Sequence, residues 1–263
     1  MQGHSMSDEP LYKDRYCAFV DILGFRQLIE SLGYGSTSFA ALRDLLTRVH
    51  STHSDSAVDV NDTDFRAQSI SDAVAISTDV SAAGLVEIFR SLQALALDLL
   101  VEGFFIRGAV VRASLYHDER MVFGEALVRA HYFESEVAKF PRIVVAREVR
   151  EDIISFASQP KGNLPYPTMS ILRQSSDGPM YLDVLQPVVS LLEKKEHPYK
   201  KLTPAEEILR RRYLQIKDKI QQRYEESMDN PRHFEKVCWF ARYWNDAIPR
   251  NLFLSIRDAD RTF

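Results

Sequence analysis

Tyr16-Cys17-Ala18-Phe19-Val20-Asp21-Ile22 is a short apolar run carrying one carboxylate near its end, followed at once by Leu23-Gly24-Phe25. Its length and composition are those of a buried strand, and the glycine marks the turn that ends it. A helix is predicted from Arg26 to Leu32 and a second over 39–50, with a polar loop from Ser51 to Asp64. Extended pattern resumes at Phe65–Ile70, Ser71-Asp72 is a turn, and Ala73–Ser77 is apolar and strand-like, so the pair reads as a hairpin. Residues 82–101 place Leu85, Ile88, Phe89, Leu92, Leu95, Leu99 and Leu100 on one wide helical stripe. A strand follows over Phe104–Leu115, then a polar turn over His117–Arg120 and a short strand at Val122-Phe123. Next come a helix over Glu125–Lys139, stopped by Pro141, and a strand over Arg142–Ala146.

A crossover helix joined to hairpins argues for an α+β fold: a mixed or antiparallel sheet with helices packed on it. Residues 1–14 read as an N-terminal tail, of which Met1 to Ser5 precede a native-looking start at Met6. Residues 15–150 read as one domain, and 151–263 as a loop-rich and mainly helical C-terminal extension. Within the extension, 158–180 is rich in Pro and Gly. Val184–Leu192 is apolar, and Thr203-Pro204 opens a helix running to about Glu226. A last helix spans 231–246, with a small strand at Leu252–Ile256.

With 45% hydrophobic and 27% charged residues, the chain has the composition of a folded globular protein. A net charge of -4 gives no broad attraction to nucleic acid or to a membrane surface. No apolar run approaches a membrane span and no signal-peptide core is present, so a cytoplasmic location is expected. Cys17 and Cys238 have no partner at metal-ligand spacing and read as buried thiols. The sequence contains no HExxH helix, no GxSxG elbow and no phosphate loop; Gly24, Gly108 and Gly124 are isolated. The Arg210-Arg211-Arg212 cluster lies among acids as a solvated face, and Trp239 and Trp244 read as packing residues.

Three features can carry chemistry. Asp21 ends a strand beside a turn whose backbone N–H groups, at a helix start, can hold phosphate oxygens; it can equally cap the helix. Asp72 sits at a hairpin tip, where aspartate is common for local reasons. Strand ends on one sheet edge can also bring Asp21 and Asp72 together around hard cations that take oxygen ligands. Arg107, Arg112 and Arg129 form the third feature, because arginine binds phosphate oxygens through a fork. The offset of five between Arg107 and Arg112 turns them to opposite faces of a strand. Arg66 and Gln68 share a face with Ile70 and Asp72 by two-residue alternation, and are candidate base contacts.

The block Phe19-Val20-Asp21-Ile22-Leu23-Gly24-Phe25 resembles the first metal motif of class III nucleotide cyclase catalytic domains, and Ser71-Asp72-Ala73-Val74-Ala75 resembles the second. Phe104 to Val110 and Phe123-Gly124-Glu125-Ala126-Leu127 resemble their later strand, hairpin and helix, so that the similarity covers residues 15–147. The resemblance implies a ferredoxin-like core, a homodimer, and two Mn²⁺ or Mg²⁺ ions per site held by Asp21 and Asp72. It also implies a triphosphate-binding turn at Ile22, Leu23, Gly24 and Phe25. The base-selecting positions of purine-specific relatives carry Gln68 and Met121, and their transition-state positions carry Val128 and Tyr132. Together with Phe123–Ala130 and Phe140–Val145, the pattern is most similar to bacterial pyrimidine cyclases of anti-phage signalling. That implies conversion of UTP, ahead of CTP, to the 3′,5′-cyclic monophosphate as a message to a separate effector. A nucleotide-binding sensor without catalysis, a purine cyclase, and a dimeric interaction protein are the alternatives.

Overall fold

The computed structural model describes residues 12–25, 63–158, 169–193, 203–248, 255–257 and 259. Strand β1, Tyr12–Leu23, is buried on both faces: Tyr16, Ala18, Val20 and Ile22 enter one apolar cluster, Cys17 and Phe19 the other. This explains why the run is nearly all apolar rather than alternating. The expected hairpin is present as β2, Arg66–Ile70, and β3, Ala73–Asp79. Helix α1 spans Ala82–Val101 as its stripe requires. Ser81 caps it by accepting the Gly84 N–H, and Gly103, at φ +84°, turns the chain out of it. Then come β4, Phe105–His117, β5, Val122–Phe123, α2, Glu125–Tyr132, and β6, Ile143–Val145.

The sheet order is β2-β3-β1-β4-β6, continued by two strands from the C-terminal region. β1 pairs antiparallel with β3 and β4, β2 with β3, while β6 runs parallel to β4. Read as β4-β1-β3-β2, the first four strands have the ferredoxin-like order, within a mixed-sheet α+β fold. α1 covers the face of Ala18 and Val20; α2 covers the face of Cys17 and Phe19. Gly108 lies where β4 crosses closest to β1: a Cβ there would stand 2.6 Å from the Phe19 carbonyl oxygen.

Several expectations change. The helix predicted over Glu125–Lys139 is α-helical only to Tyr132; Phe133–Val137 form a π-turn, closed by the Ala138 N–H donating to the Phe133 carbonyl at 2.9 Å. His117 is not in a turn but ends β4, buried. A helix α3, Arg147–Ala157, runs across the expected boundary at 150; its apolar Val149 and Ile153 are hidden in sequence among charges. The stretch read as loop between 158 and 180 contains β7, Leu172–Gln174, and begins β8, Met180–Leu182, both too short to show periodicity. β8 pairs with β6 through Val144 and Tyr181, so the extension lengthens the same sheet. Its helices, α4, Gln186–Glu193, α5, Pro204–Glu226, and α6, Pro231–Ala247, follow. Ile216, Ile220, Val237, Phe240 and Trp244 share one core cluster with Leu95, Leu99 and Phe105. The strand expected at Leu252–Ile256 falls partly outside the described residues. The described Ser255 and Ile256 are not in a strand; Asn245 holds the Ile256 backbone at both its N–H and its carbonyl. The helices predicted over 26–32 and 39–50 also lie outside the described residues. Among the described residues no helix is long and apolar enough to cross a membrane.

Arg142 ties β6 to the β7–β8 turn. Its fully buried guanidinium donates to both Asp177 oxygens at 2.7 Å and to Ser175 Oγ at 2.7 Å, and lies against the Phe140 and Trp239 rings. Asp177→Ala strands that charge. Asp177 itself is 35% exposed, so water replaces part of what is lost, and the expected cost is about 2 kcal/mol. The double variant with Arg142→Met is expected to recover most of the loss, because an apolar stem then fills the buried slot. Urea unfolding of the two variants and the parent checks this; equal stability of parent and Asp177→Ala counts against it.

Candidate active site

Asp21 is the third residue from the end of β1, paired across the ladder with Ala73 on one side and Arg107 on the other. The next residue, Ile22, donates its N–H to the Asp72 carbonyl at 3.0 Å, so the hairpin tip sits directly beside the end of β1. Ser71 in the left-handed region, φ 60°, makes that tip tight. Asp72 lies in the turn between β2 and β3, and its charge is near enough to act on Asp21. Asp21 titrates at about 6 instead of 3.8. Burial is the largest cause, the Glu134 and Asp72 charges add to it, and Arg107 and Lys236 oppose it. Three carboxylates, Asp21, Glu134 and Asp72, thus act on one another here against Arg107 and Lys236.

Arg107 bridges two acids. Its Nε donates to Glu134 Oε1 at 2.6 Å and its Nη2 lies 3.6 Å from Asp21 Oδ2. Glu134 is 3% exposed and enters the site because the π-turn widens the helix there. Sequence spacing gave no sign of it, since a regular helix would place that position elsewhere.

Of the three arginines, only Arg107 adjoins Asp21 within one chain. Arg112 lies five residues along β4, about 17 Å away by strand rise, and on the opposite face. There its Nε donates to Asp14 at 2.9 Å and its Nη1 to Asp152 at 2.9 Å. Arg129 donates to Glu148 at 2.7 Å and to the Arg112 carbonyl at 3.2 Å. These two form a separate network on α2, α3 and β4.

The ladder also places Gln68. Phe19 faces Ala75 and Ala75 faces Gln68, so Gln68 lies on the same sheet face as Asp21. Its Nε2 donates to the Arg120 carbonyl at 3.0 Å, which fixes the amide orientation and leaves Oε1 as a buried acceptor with no partner among the described residues. Arg66, two residues earlier on that face, is drawn to Asp64, its Nε donating at 2.8 Å. Of the turn, Ile22 and Phe25 are buried and Leu23 is half-buried, while Gly24 is exposed at φ +87°, with nothing among the described residues within 4 Å of where a Cβ would stand.

A cleft of about 280 Å³ opens on Leu23 and Gly24. Phe105 and Pro141 line it on the core side, and the start of α6 faces the turn with Arg232, His233 and Lys236. The α6 residues were read from sequence only as a packing helix; nothing local marks them, because the contact is made by the far end of the chain.

Carboxylate oxygens such as those of Asp21 and Asp72 are the ligand type that a hard divalent cation takes. Among the described residues no cluster of three or more metal-ligating side chains forms.

No family model matches the chain, and no curated protein does. Solved structures do. The monomeric guanylyl cyclase domain of the RhoGC fusion protein from the aquatic fungus Blastocladiella emersonii is 15% identical, with 65% of this chain and 95% of that one covered, at a TM-score of 0.43. A bacterial light-regulated adenylyl cyclase is 14% identical over 68% of this chain and 54% of that one, at 0.42. The catalytic core of a rhodopsin-guanylyl cyclase with converted specificity, in complex with ATPalphaS, is 19% identical over 65% and 93%, at 0.36. At these identities and scores the likeness says nothing of this chain's substrate; the proteins it is similar to are cyclase domains.

Proposed function

We propose that this chain is a metal-dependent nucleotide cyclase that closes UTP, ahead of CTP, to its 3′,5′-cyclic monophosphate. One observation carries the reading: Asp21, its pKa raised, lies at a strand end beside Asp72 on a tight hairpin, directly before an open glycine turn. In the reaction the ribose 3′-oxygen bonds to the α-phosphorus, the bond to the bridging oxygen breaks, and pyrophosphate leaves with the electron pair. Asp21 and Asp72 would hold two Mn²⁺ or Mg²⁺ ions, which when bound supply charge against the phosphates and lower the pKa of the attacking hydroxyl. The backbone of Ile22 to Phe25 cradles the β- and γ-phosphates. Arg107, kept in place by Glu134, sets a fork beside Asp21 to compensate developing charge.

Gln68 supports the choice of base. Its free Oε1 accepts from a ring N–H, which uracil offers at N3 and cytosine does not. Gln68→Leu is expected to lower kcat/KM for UTP by about tenfold and to narrow the ratio of UTP to CTP. Steady-state rates with both nucleotides test this, and an unchanged ratio rejects Gln68 as the base contact.

A homodimer is part of the proposal. Val128 and Tyr132 on α2 are 70% and 57% exposed, and Met121 and Phe123 are half exposed beside them. Arg112 and Arg129 could then act in the partner's site. In this setting the cyclic nucleotide would signal to a separate effector during phage defence. A second reading, a nucleotide sensor without turnover, is favoured by the apolar Val128 and Tyr132 where the resemblance implies polar transition-state groups. A product assay with ATP, GTP, CTP and UTP in Mn²⁺ decides. Cyclic UMP in excess supports the proposal, a cyclic purine replaces its base assignment, and tight binding with no cyclic product supports the sensor.

A further inference from the structure

The C-terminal region enters the site from the opposite side to Asp72. α6 starts across the cleft from Leu23 and Gly24 and turns Arg232, His233 and Lys236 toward it. Among the described residues lining that cleft there is no carboxylate. Neither Arg232 nor Lys236 makes an ion pair among the described residues. Lys236 is near enough to act on Asp21, whose pKa it lowers, and on His233, which burial, Arg223 and Lys236 together hold below its ordinary value.

Cations are misplaced here by the helix's own electrostatics. The positive end of a helix favours acids, yet the first turn of α6 holds none and carries Arg232 instead. The backbone is not the attraction, since Asn230 already accepts the His233 N–H at 3.3 Å. A local rule broken with no compensating ion pair among the described residues marks a site that waits for a partner from outside.

We propose that Arg232 and Lys236 form the subsite for the terminal phosphates of the nucleotide, and for the pyrophosphate released on cyclisation. The C-terminal extension thereby completes in the same chain a site whose carboxylates come from β1 and the β2–β3 hairpin. This assignment rests on the cyclase reading for its ligand, and on the cleft's charge and shape for its place. Leu23 and Gly24 supply one wall, where the glycine leaves room for an anion to approach the backbone, and the α6 side chains supply opposing charge from the other.

The test is binding of inorganic pyrophosphate to the full chain in EDTA by titration calorimetry. The variants are Arg232→Gln with Lys236→Gln, and Lys219→Gln on α5 as a single-charge control away from the cleft. The double variant is expected to bind pyrophosphate at least about tenfold more weakly, with an unchanged melting temperature because Arg232 is exposed and Lys236 half-buried; the Lys219→Gln variant is expected to match the parent. Unchanged pyrophosphate affinity in the double variant overturns the assignment, as does equal weakening by Lys219→Gln, which would mean general charge attraction. Because this readout needs no turnover, it separates from the cyclase reading. Pyrophosphate binding lost in the double variant, with no cyclic product from any nucleotide, keeps the subsite and rejects the cyclase. Cyclic product with unchanged pyrophosphate binding does the reverse.

Discussion

Asp21→Asn is expected to cut cyclic-nucleotide formation at least about a thousandfold, roughly 4 kcal/mol of barrier, while leaving the metal-free fold no less stable than the parent. The two effects have one cause. In the folded chain the Asp21 carboxyl titrates at about 6 against 3.8 when free, because burial and the Glu134 and Asp72 charges all disfavour its ionised form. The folded state therefore binds a proton more tightly than the unfolded state. Stability from this group is greatest below the unfolded pKa and is lost as pH rises through the folded one. At neutral pH the parent carries the full cost of the charge; a neutral amide of the same shape does not. In EDTA the variant should gain up to about 3 kcal/mol, offset by whatever the 3.6 Å approach of Arg107 returned to the carboxylate. With Mn²⁺ added the order reverses: the parent's melting temperature rises and the variant's does not, since the ligand is gone. Parent-level cyclisation by Asp21→Asn would remove the carboxylate pair from the mechanism. A lower melting temperature in EDTA would show that Asp21 serves the fold as a cap.

How far the sequence reaches depends on the range of the contact. β1 and α1 were legible because their evidence is local. The apolar run at 16–22 needs no partner to be recognised, and the stripe from Leu85 to Leu100 carries its own period, with Ser81 before it and Gly103 after it. The separation of Arg107 from Arg112 followed from strand alternation alone, and the structure sends them to opposite faces with different acids. The nearness of the Asp72 turn to the end of β1 depends on strand register, which no local pattern carries and which the Ile22 to Asp72 backbone hydrogen bond reports. Glu134 was not legible, because a π-turn has no pattern of its own: the same letters fit a continuous helix. Lys236 and Arg232 were illegible for another reason. Their neighbours at the cleft come from the opposite end of the chain, and a helix whose inner side reads as packing does not advertise what its first turn faces. β7 and β8 are three residues each, shorter than any window in which alternation can be counted.

A second large effect belongs to pH and to His117. The ring is 2% exposed at the end of β4, with Nδ1 2.8 Å from Ser77 Oγ and Nε2 without a partner among the described residues. Ser77 on β3 also accepts from Arg15 Nε at 3.0 Å, and Arg15 on β1 is itself 1% exposed. Arg66 on β2 adds a second positive charge, against which Asp64 and Asp118 act only in part. A proton on this imidazole would sit buried between arginines with no acceptor for Nε2. Burial first, and then Arg15 and Arg66, hold its pKa down to about 4 from 6.5. For a base whose folded pKa is depressed, the unfolded chain takes up the proton first. The stabilisation is thus complete above the unfolded value and disappears as pH falls from about 6.5 to about 4. That drop corresponds to about 3 kcal/mol, a large fraction of a typical domain's stability. In His117→Asn an amide keeps the bond to Ser77 and cannot titrate, so this part of the pH dependence should vanish even if the variant is less stable throughout. Urea unfolding of parent and variant at about pH 7, 5.5 and 4.5 measures the two slopes. Parallel curves would mean that the acid sensitivity comes from the carboxylates of other sites, such as Asp64 held low by Arg66 and Arg15, and not from a neutral histidine locked beneath the sheet's edge.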